Sequence, residues 1–253
     1  MTLDATIAEG GSTSKVTDVW VSVNDEELGL WELPARVPIL ADGPQVIRVA
    51  AGVKRNGAFD DRLQYPYYTA WQNTVDLRPE RSVTIDPIVR YQGAAIWAER
   101  FDDAGNLLYT APSSDTTLII YTPEDDPGLP RDGTTCAGFV LETGRDYIQL
   151  YTDQNFGAAF GPVYLELDYS TEVDLRIGYT YVQSGSTIYQ PWITLVPTTG
   201  AGSVRWNKVY IDVSTYFNTS GISSRDFYVE AVLPNDRSSA RAYLDNIKLV
   251  QPE

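Results

Sequence analysis

Histidine is missing altogether from this chain of 253 residues. Its absence removes the usual general base, the usual partner of a nucleophile and the commonest transition-metal ligand. Side-chain chemistry for catalysis is thereby nearly confined to carboxylates. Cysteine is almost as scarce. Cys136 stands alone, so no intrachain disulfide forms and the core rests on packing. In "GTTCAGFV", with no histidine partner, it reads as a small buried residue. Positive charge is also short, with 19 Lys and Arg against 34 Asp and Glu, a net charge of −15. A polyanion such as nucleic acid is repelled over most of such a surface. No apolar run approaches the ~18–20 residues of a membrane helix. The opening Met-Thr-Leu-Asp-Ala-Thr has no basic region, and a mature chain whose export segment has been removed would read the same way.

Helical periodicity is nearly absent as well. In its place come short alternating runs separated by Gly, Pro, Asn and Asp, the signature of an all-β protein. Seventeen tyrosines and six tryptophans outnumber seven phenylalanines. Such polar-tipped aromatics serve as strand residues and as ligand platforms. Residues 16–23, "LGLWELP", "VPILADGPQVIRVAAGVKRNG", "YYTAWQNTVDL" and "RSVTIDP" give six or seven strands by residue 87, the size of a small immunoglobulin-like sandwich. Beyond it, "AIWAERFDDAGNLLY" opens a second unit, and "TPEDDPGLPRDGTT" is an acidic, Pro/Gly-rich loop. Eight further runs end in "RAYLDNIKLV", which suits a jelly-roll sandwich. The expected organisation is residues 1–90 as the first unit and 91–253 as the second.

Three stretches stand out for chemistry. In "AYLDNIKLV", strict alternation places Asp245 on one face with Tyr243, Ile247 and Leu249. A carboxylate among apolar neighbours needs a cation or several donors. Arg100, Arg241 or backbone N–H groups would serve. "GYTYVQSGSTIYQPW" reads as a β-hairpin around Gln183-Ser184-Gly185-Ser186 carrying Tyr179, Tyr181, Tyr189 and Trp192. Aromatic faces stack on sugar C–H surfaces while amides such as Gln183 and Gln190 bond hydroxyls. Trp192, Tyr189, Tyr181 and Gln190 are therefore the candidate ligand-binding set, with Tyr179 and Tyr181 equally readable as core. "YPYYTAWQ" (Tyr65–Gln72) is an aromatic patch for a partner or, on the plainer reading, for the second unit.

The segment "VTDVWVSVNDEELGLWELPARVPILADGPQVIRVAAGVKRNG" resembles the N-terminal domain of surface lipoproteins from Bacteroidota-type bacteria and echoes a PEGA-like pattern. From "ERFDD" through "WNKVYIDV" to "YLDNIKLV", the chain resembles jelly-roll carbohydrate-binding modules and galactose-binding-like domains. The resemblance implies an exported protein at the bacterial cell surface or outer membrane, touching the membrane only through a lipid anchor outside these residues. Its partner would be a glycan, or a surface or outer-membrane protein. It also implies a structural Ca²⁺ joining Asp245 to Glu99, Asp102 and Asp103. "ELDYSTE" approaches the Glu-x-Asp-x-Glu arrangement of jelly-roll β-glucanases through Glu166 and Asp168. Ser170 and Thr171 stand where the acid should be and Glu172 is late, so no proton donor remains and the chain is expected not to be an enzyme. Asn218-Thr219-Ser220 matches a glycosylation sequon that is idle in a bacterial protein. Two expectations follow: a non-catalytic glycan-binding lipoprotein, or an accessory lipoprotein that docks a protein and has no sugar site.

Overall fold

The computed structural model describes residues 1–126 and 128–253; Pro127, within the acidic loop, lies outside the described residues. Seven strands make up the N-terminal part: β1 (Thr2–Leu3), β2 (Asp18–Val23), β3 (Glu26–Glu32), β4 (Gly43–Lys54), β5 (Arg62–Gln64), β6 (Trp71–Leu77) and β7 (Ile88–Val89). The remainder comprises β8 (Ala94–Glu99), β9 (Tyr109–Thr110), β10 (Ile119–Tyr121), β11 (Cys136–Glu142), β12 (Tyr147–Tyr151), β13 (Tyr164–Thr171), β14 (Leu175–Gln183), β15 (Ser186–Leu195), β16 (Asn207–Asp212), the short helix α1 (Ser214–Phe217), β17 (Ser223–Val232) and β18 (Ser239–Pro252).

The C-terminal part is the expected jelly-roll sandwich. One sheet runs β10-β11-β18-β13-β16, with β8 also paired to β18, and the facing sheet runs β15-β14-β17-β12-β9. Alternation supplies the core: Leu165, Leu167 and Tyr169 from β13 meet Ile148 and Leu150 from β12 and Phe227 and Val229 from β17. β18 departs from strict alternation. Between the pairs Glu166–Lys248 and Asp168–Asp245 it carries one extra residue, and Asn246 takes a left-handed φ of 51°. That bulge keeps Ala242 and Leu244, then Ile247 and Leu249, all in the core. A one-residue insertion moves every later side chain to the other face. Asp245 therefore shares its face with Tyr243 and Lys248, away from Ile247 and Leu249, which corrects the simple period-two reading.

The N-terminal strands lie in a single sheet, β3-β2-β4, whose far edge is shared by β6 along the first half of β4 and β5 along its end. In place of a second facing sheet, Leu33, Ala35, Val37 and Ile39 from the β3–β4 connection, with Ile85, cover Val19, Val21, Ile47 and Val49. β1 and β7 form a separate parallel pair. The same face of β4 continues through Ala51 and Val53 into a core shared with the sandwich, where Tyr65, Tyr67, Tyr68 and Tyr91 meet Tyr164, Tyr210 and Val250. Tyr65 lies 5.1 Å from Tyr164 and 5.0 Å from Tyr210, centroid to centroid. The aromatic run Tyr65–Gln72 thus sends Tyr65, Tyr67 and Tyr68 into the seam between the units. The seam also closes the edge of β16: Asn56 donates its N–H to the Tyr210 carbonyl at 2.8 Å, and its Oδ1 accepts from Asp212 N–H at 2.8 Å. Covering an edge in this way removes a template for unwanted pairing.

Candidate functional site

Each sheet of the sandwich has an outer face, and the two are treated differently. The outer face of the β13–β18 sheet is covered by the N-terminal unit and by the acidic loop, whose Leu129 packs near Tyr243 and Cys136. Among the described residues, the outer face of the β14–β17 sheet carries no such cover.

Alternation decides what lies on that open face. Ile148 and Leu150 turn inward from β12, so Tyr147, Gln149 and Tyr151 turn out. In β17, Phe227, Val229 and Ala231 turn in and leave Tyr228, Glu230 and Val232 outside. Register aligns these residues into rows. Tyr109 pairs with Tyr151, Tyr151 with Tyr228, Tyr228 with Gly178, and Gly178 with Pro191. Beside this runs a polar row, Gln149–Glu230–Arg176–Thr194. Tyr189 stands on β15 opposite Thr180, with its ring 6.1 Å from that of Tyr228. Tyr109 and Tyr151 are 5.8 Å apart.

The relief follows from one glycine. A Cβ on Gly178 would fall 2.2–2.5 Å from atoms of the Tyr228 ring. Only a residue without a side chain lets that ring lie down on β14. Tyr228 is consequently sunk to 3% exposure, while Tyr109 (44%) and Tyr189 (59%) stand proud near opposite edges of the sheet. The face is a shallow trough with a tyrosine floor and tyrosine rims. Its charges are paired: Arg176 binds Glu230, which also accepts from Tyr147 O–H at 3.2 Å and Gln149 Nε2 at 3.4 Å. Burial and the nearby Glu230 push the Tyr147 hydroxyl up to about 12 and raise that of Tyr228. Both remain neutral donors near neutral pH. Flat apolar rings beside fixed hydroxyl, amide and carboxylate groups suit a ligand with C–H faces and hydroxyl edges.

Of the four ligand-binding residues expected from sequence, Tyr189 alone reaches this face. Trp192 is the extra residue of a second bulge, between the pairs Ile177–Ile193 and Gly178–Pro191. Its Nε1 donates to the Asp212 carbonyl on the opposite sheet at 3.1 Å, and its ring lies 5.5 Å from Tyr179. It closes the side of the sandwich while remaining 39% exposed. Tyr181 packs against the core beside Tyr179 and Tyr216. Gln190 pairs with Tyr179 rather than with the open face. Tyr109, Tyr147, Gln149, Tyr151, Arg176, Tyr228 and Glu230 were not singled out from sequence. The signal for Tyr147, Gln149, Tyr151, Tyr228 and Glu230 is the alternation in "DYIQLYT" and "DFYVEAVL"; Tyr109 and Arg176 lie outside those runs.

The expected calcium ligands hold two loops: Asp245 and Asp102 the end of the acidic loop, Glu99 and Asp103 the connection after β8. Asp245 accepts from Arg131 and Asp132 N–H, both at 3.0 Å. Burial pushes its carboxyl up to about 8, with backbone donors opposing and Asp168 adding to the rise. Glu99 accepts from Phe101 and Leu107 N–H, both at 2.6 Å. Asp102 is held by Thr134 and Thr135 N–H and by Arg100, which lower its pKa against the effect of burial. Asp103 accepts from Gly105 N–H. No group of three or more His, Cys, Asp or Glu placed to hold a metal occurs among the described residues. Glu99, Asp102 and Asp245 each accept from two or more local donors, and Asp103 from one. The Glu166 and Asp168 pair lies beneath the N-terminal unit, where Glu166 accepts from Tyr65 O–H at 2.6 Å and pairs with Lys208 at 3.3 Å. Asn218 Nδ2 donates to the Gly161 and Ser214 carbonyls, so the sequon's amide is engaged.

No protein-family model matches the chain, and no curated protein matches it in sequence. Among solved structures, it is similar to the CBM22-1 and GH10 modules of a Clostridium thermocellum N-terminal endo-1,4-β-D-xylanase, complexed with xylohexaose. The TM-score is 0.46 at 8% identity over 62% of this chain, and the match spans 28% of that chain. A xylan-binding domain of family 22 gives 0.42 at 13% identity, covering 62% of this chain and 93% of that one. A structure of carbohydrate-binding modules from the β-sandwich superfamily gives 0.41 at 8% identity, covering 92% of this chain and 84% of that one.

Proposed function

We propose that this protein is a non-catalytic glycan-binding protein, and that the open face of the β14–β17 sheet is its reader. The observation that carries the proposal is the row Tyr109–Tyr151–Tyr228, with Tyr189 beside it and Gln149, Glu230 and Arg176 alongside. Tyrosine rings present flat apolar surface with little conformational entropy to lose, and the polar row supplies directional bonds to hydroxyls. The N-terminal unit is a fixed spacer that covers the other sheet. A place at the bacterial cell surface, held by a lipid anchor outside these residues, belongs to the same proposal and rests on the resemblance of the N-terminal segment.

The alternative, a protein-docking accessory role with no sugar site, would be favoured by a broad apolar patch on the N-terminal unit or one shared by both units. Tyr65, Tyr67 and Tyr68 are buried in the seam and form no such patch, while Ile7, Leu40 and Phe59 of the N-terminal unit stand exposed. A glycan array, followed by calorimetry on the best polysaccharide, tests the reading. Binding that falls at least tenfold in Tyr189→Ala and in Tyr109→Ala supports it. No binding across plant, algal, host and bacterial polysaccharides overturns it.

A further inference from the structure

The seam between the two units buries an amine, Lys248, that forms no salt bridge among the described residues. On the covered face, Lys248 pairs across strands with Glu166, and the next row brings Asp245, Asp168 and Lys208 together. Lys208 takes both carboxylates, Glu166 at 3.3 Å and Asp168 at 3.4 Å, and Arg131 approaches Asp168 at 3.6 Å. Lys248 is fully buried and has no carboxylate oxygen within 4.0 Å among the described residues. Its Nζ donates to the Gly11 carbonyl at 2.9 Å and lies 3.2 Å from the Tyr91 hydroxyl. Burial, reinforced by the charge on Lys208, pushes this amine down to about 7.

The cover over these rows is a strap, the segment between β1 and β2. It contains one turn, Ile7–Glu9, capped by Thr6, followed by Gly10 and Gly11 with left-handed φ of 80° and 78°. Those glycines allow close approach, since a Cβ on Gly10 would lie 2.7 Å from Lys248 Cε. Thr13 donates to Asp168 and accepts from Asn246 Nδ2, and Lys15 N–H donates to the Tyr210 hydroxyl at 3.0 Å. Ile7, the large apolar residue of the turn, faces solvent. The strap is tied at both ends, by the β1–β7 pair and by β2, while its middle rests on the sheet through polar contacts. A segment of this kind opens without exposing a hydrophobic core.

We propose that residues 5–15 form a latch over the ionic rows, kept shut by Lys248 lying beneath it as an uncharged amine. Opening hydrates Lys248 and returns it to the ordinary lysine affinity for a proton. The closed state binds fewer protons than the open one between about pH 7 and 10, so the latch tightens as pH rises through that window and levels off below it. Several groups face Lys248. β13 presents Glu166 and Asp168, β16 presents Lys208 and Tyr210, and the acidic loop presents Arg131 and Asp132. The N-terminal unit adds Tyr91, with Tyr65 and Tyr68 beyond it on Glu166 and Tyr210, whereas β8 offers the apolar Ala98 at this register. The tyrosines are held well above 10 by burial and do not titrate in the window. Asp245, pushed up to about 8, does titrate there but keeps its Arg131 and Asp132 donors whether the strap is open or shut.

Hydrogen exchange of the amides of residues 10–15 in the full chain, corrected for the intrinsic pH dependence, reads the opening constant from pH 7 to 9.5. The expected result is a roughly tenfold fall per pH unit in the wild type, retained in Asp245→Asn and abolished in Lys248→Met. A flat wild-type profile, or an unchanged slope in Lys248→Met, overturns the proposal. Should Lys248→Met fail to fold, NMR titration of Lys248 in the wild type decides the matter. A midpoint near neutrality supports the latch, and one above 9.5 overturns it.

Discussion

The ring of Tyr228 rests directly on the backbone of Gly178, so closely that a single methyl group at position 178 would overlap it. Gly178→Ala must lift the ring or push β14 aside, and overpacking of this kind costs roughly 1–3 kcal/mol. Thermal melting should show the loss, and Gly178→Ala should cost much less when made in a Tyr228→Ala background. Equal and additive losses in the double variant would mean that the two residues do not share the space.

The seam makes one cooperative body of the two units. Glu166 holds Lys208, Tyr65 and Tyr91 together in a fully buried setting. Glu166→Gln leaves Lys208 with Asp168 as its sole carboxylate partner among the described residues, and breaking a buried pair costs about 3–5 kcal/mol. Urea unfolding followed by tryptophan fluorescence and by far-UV circular dichroism should shift together to a lower midpoint. Separate transitions by the two probes would show that the units unfold independently.

Asp245 makes stability depend on pH with a definite sign. Its folded-state pKa, about 8, stands above the ordinary carboxylate value near 4. The native state therefore binds the extra proton between these values, and this contribution is present in acid and lost as pH rises through about 8. An asparagine keeps the oxygen that accepts from Arg131 and Asp132. Asp245→Asn should gain on the wild type as pH climbs from 4 to 8 in melting experiments. A stability difference that is independent of pH would contradict the assignment.

Chelation provides a separate check. Glu99, Asp102, Asp103 and Asp245 are each satisfied by backbone donors or Arg100, so EGTA should leave the melting temperature unchanged. A drop of several degrees, restored by added Ca²⁺, would show that these loops rearrange around an ion.

How far the fold could be read ahead depended on the local rule each residue obeys. Strands with unbroken alternation, such as Tyr147–Tyr151 and the run Leu165–Tyr169, announce themselves, and the closing strand marked the jelly roll. Asn246 and Trp192 each occupy a bulge, and one additional residue reverses the face of all that follows. Asp245 was for that reason assigned to the core, and Trp192 to an open surface. Nothing in the local sequence announces such a residue, because the bulge is set by register with a distant partner strand. The trough tyrosines were hidden differently. Tyr109, Tyr151 and Tyr228 lie far apart in the chain and become neighbours only through pairing of β9, β12 and β17.

Glycan affinity measured side by side in Tyr189→Ala and Trp192→Phe discriminates most sharply, because these residues are three apart on β15 yet serve different faces. With folding of both variants checked by circular dichroism, the open face requires that Tyr189→Ala lose at least tenfold in affinity while Trp192→Phe binds like the wild type. Loss in Trp192→Phe with full binding in Tyr189→Ala would move the site to the side of the sandwich and contradict the trough as the reader.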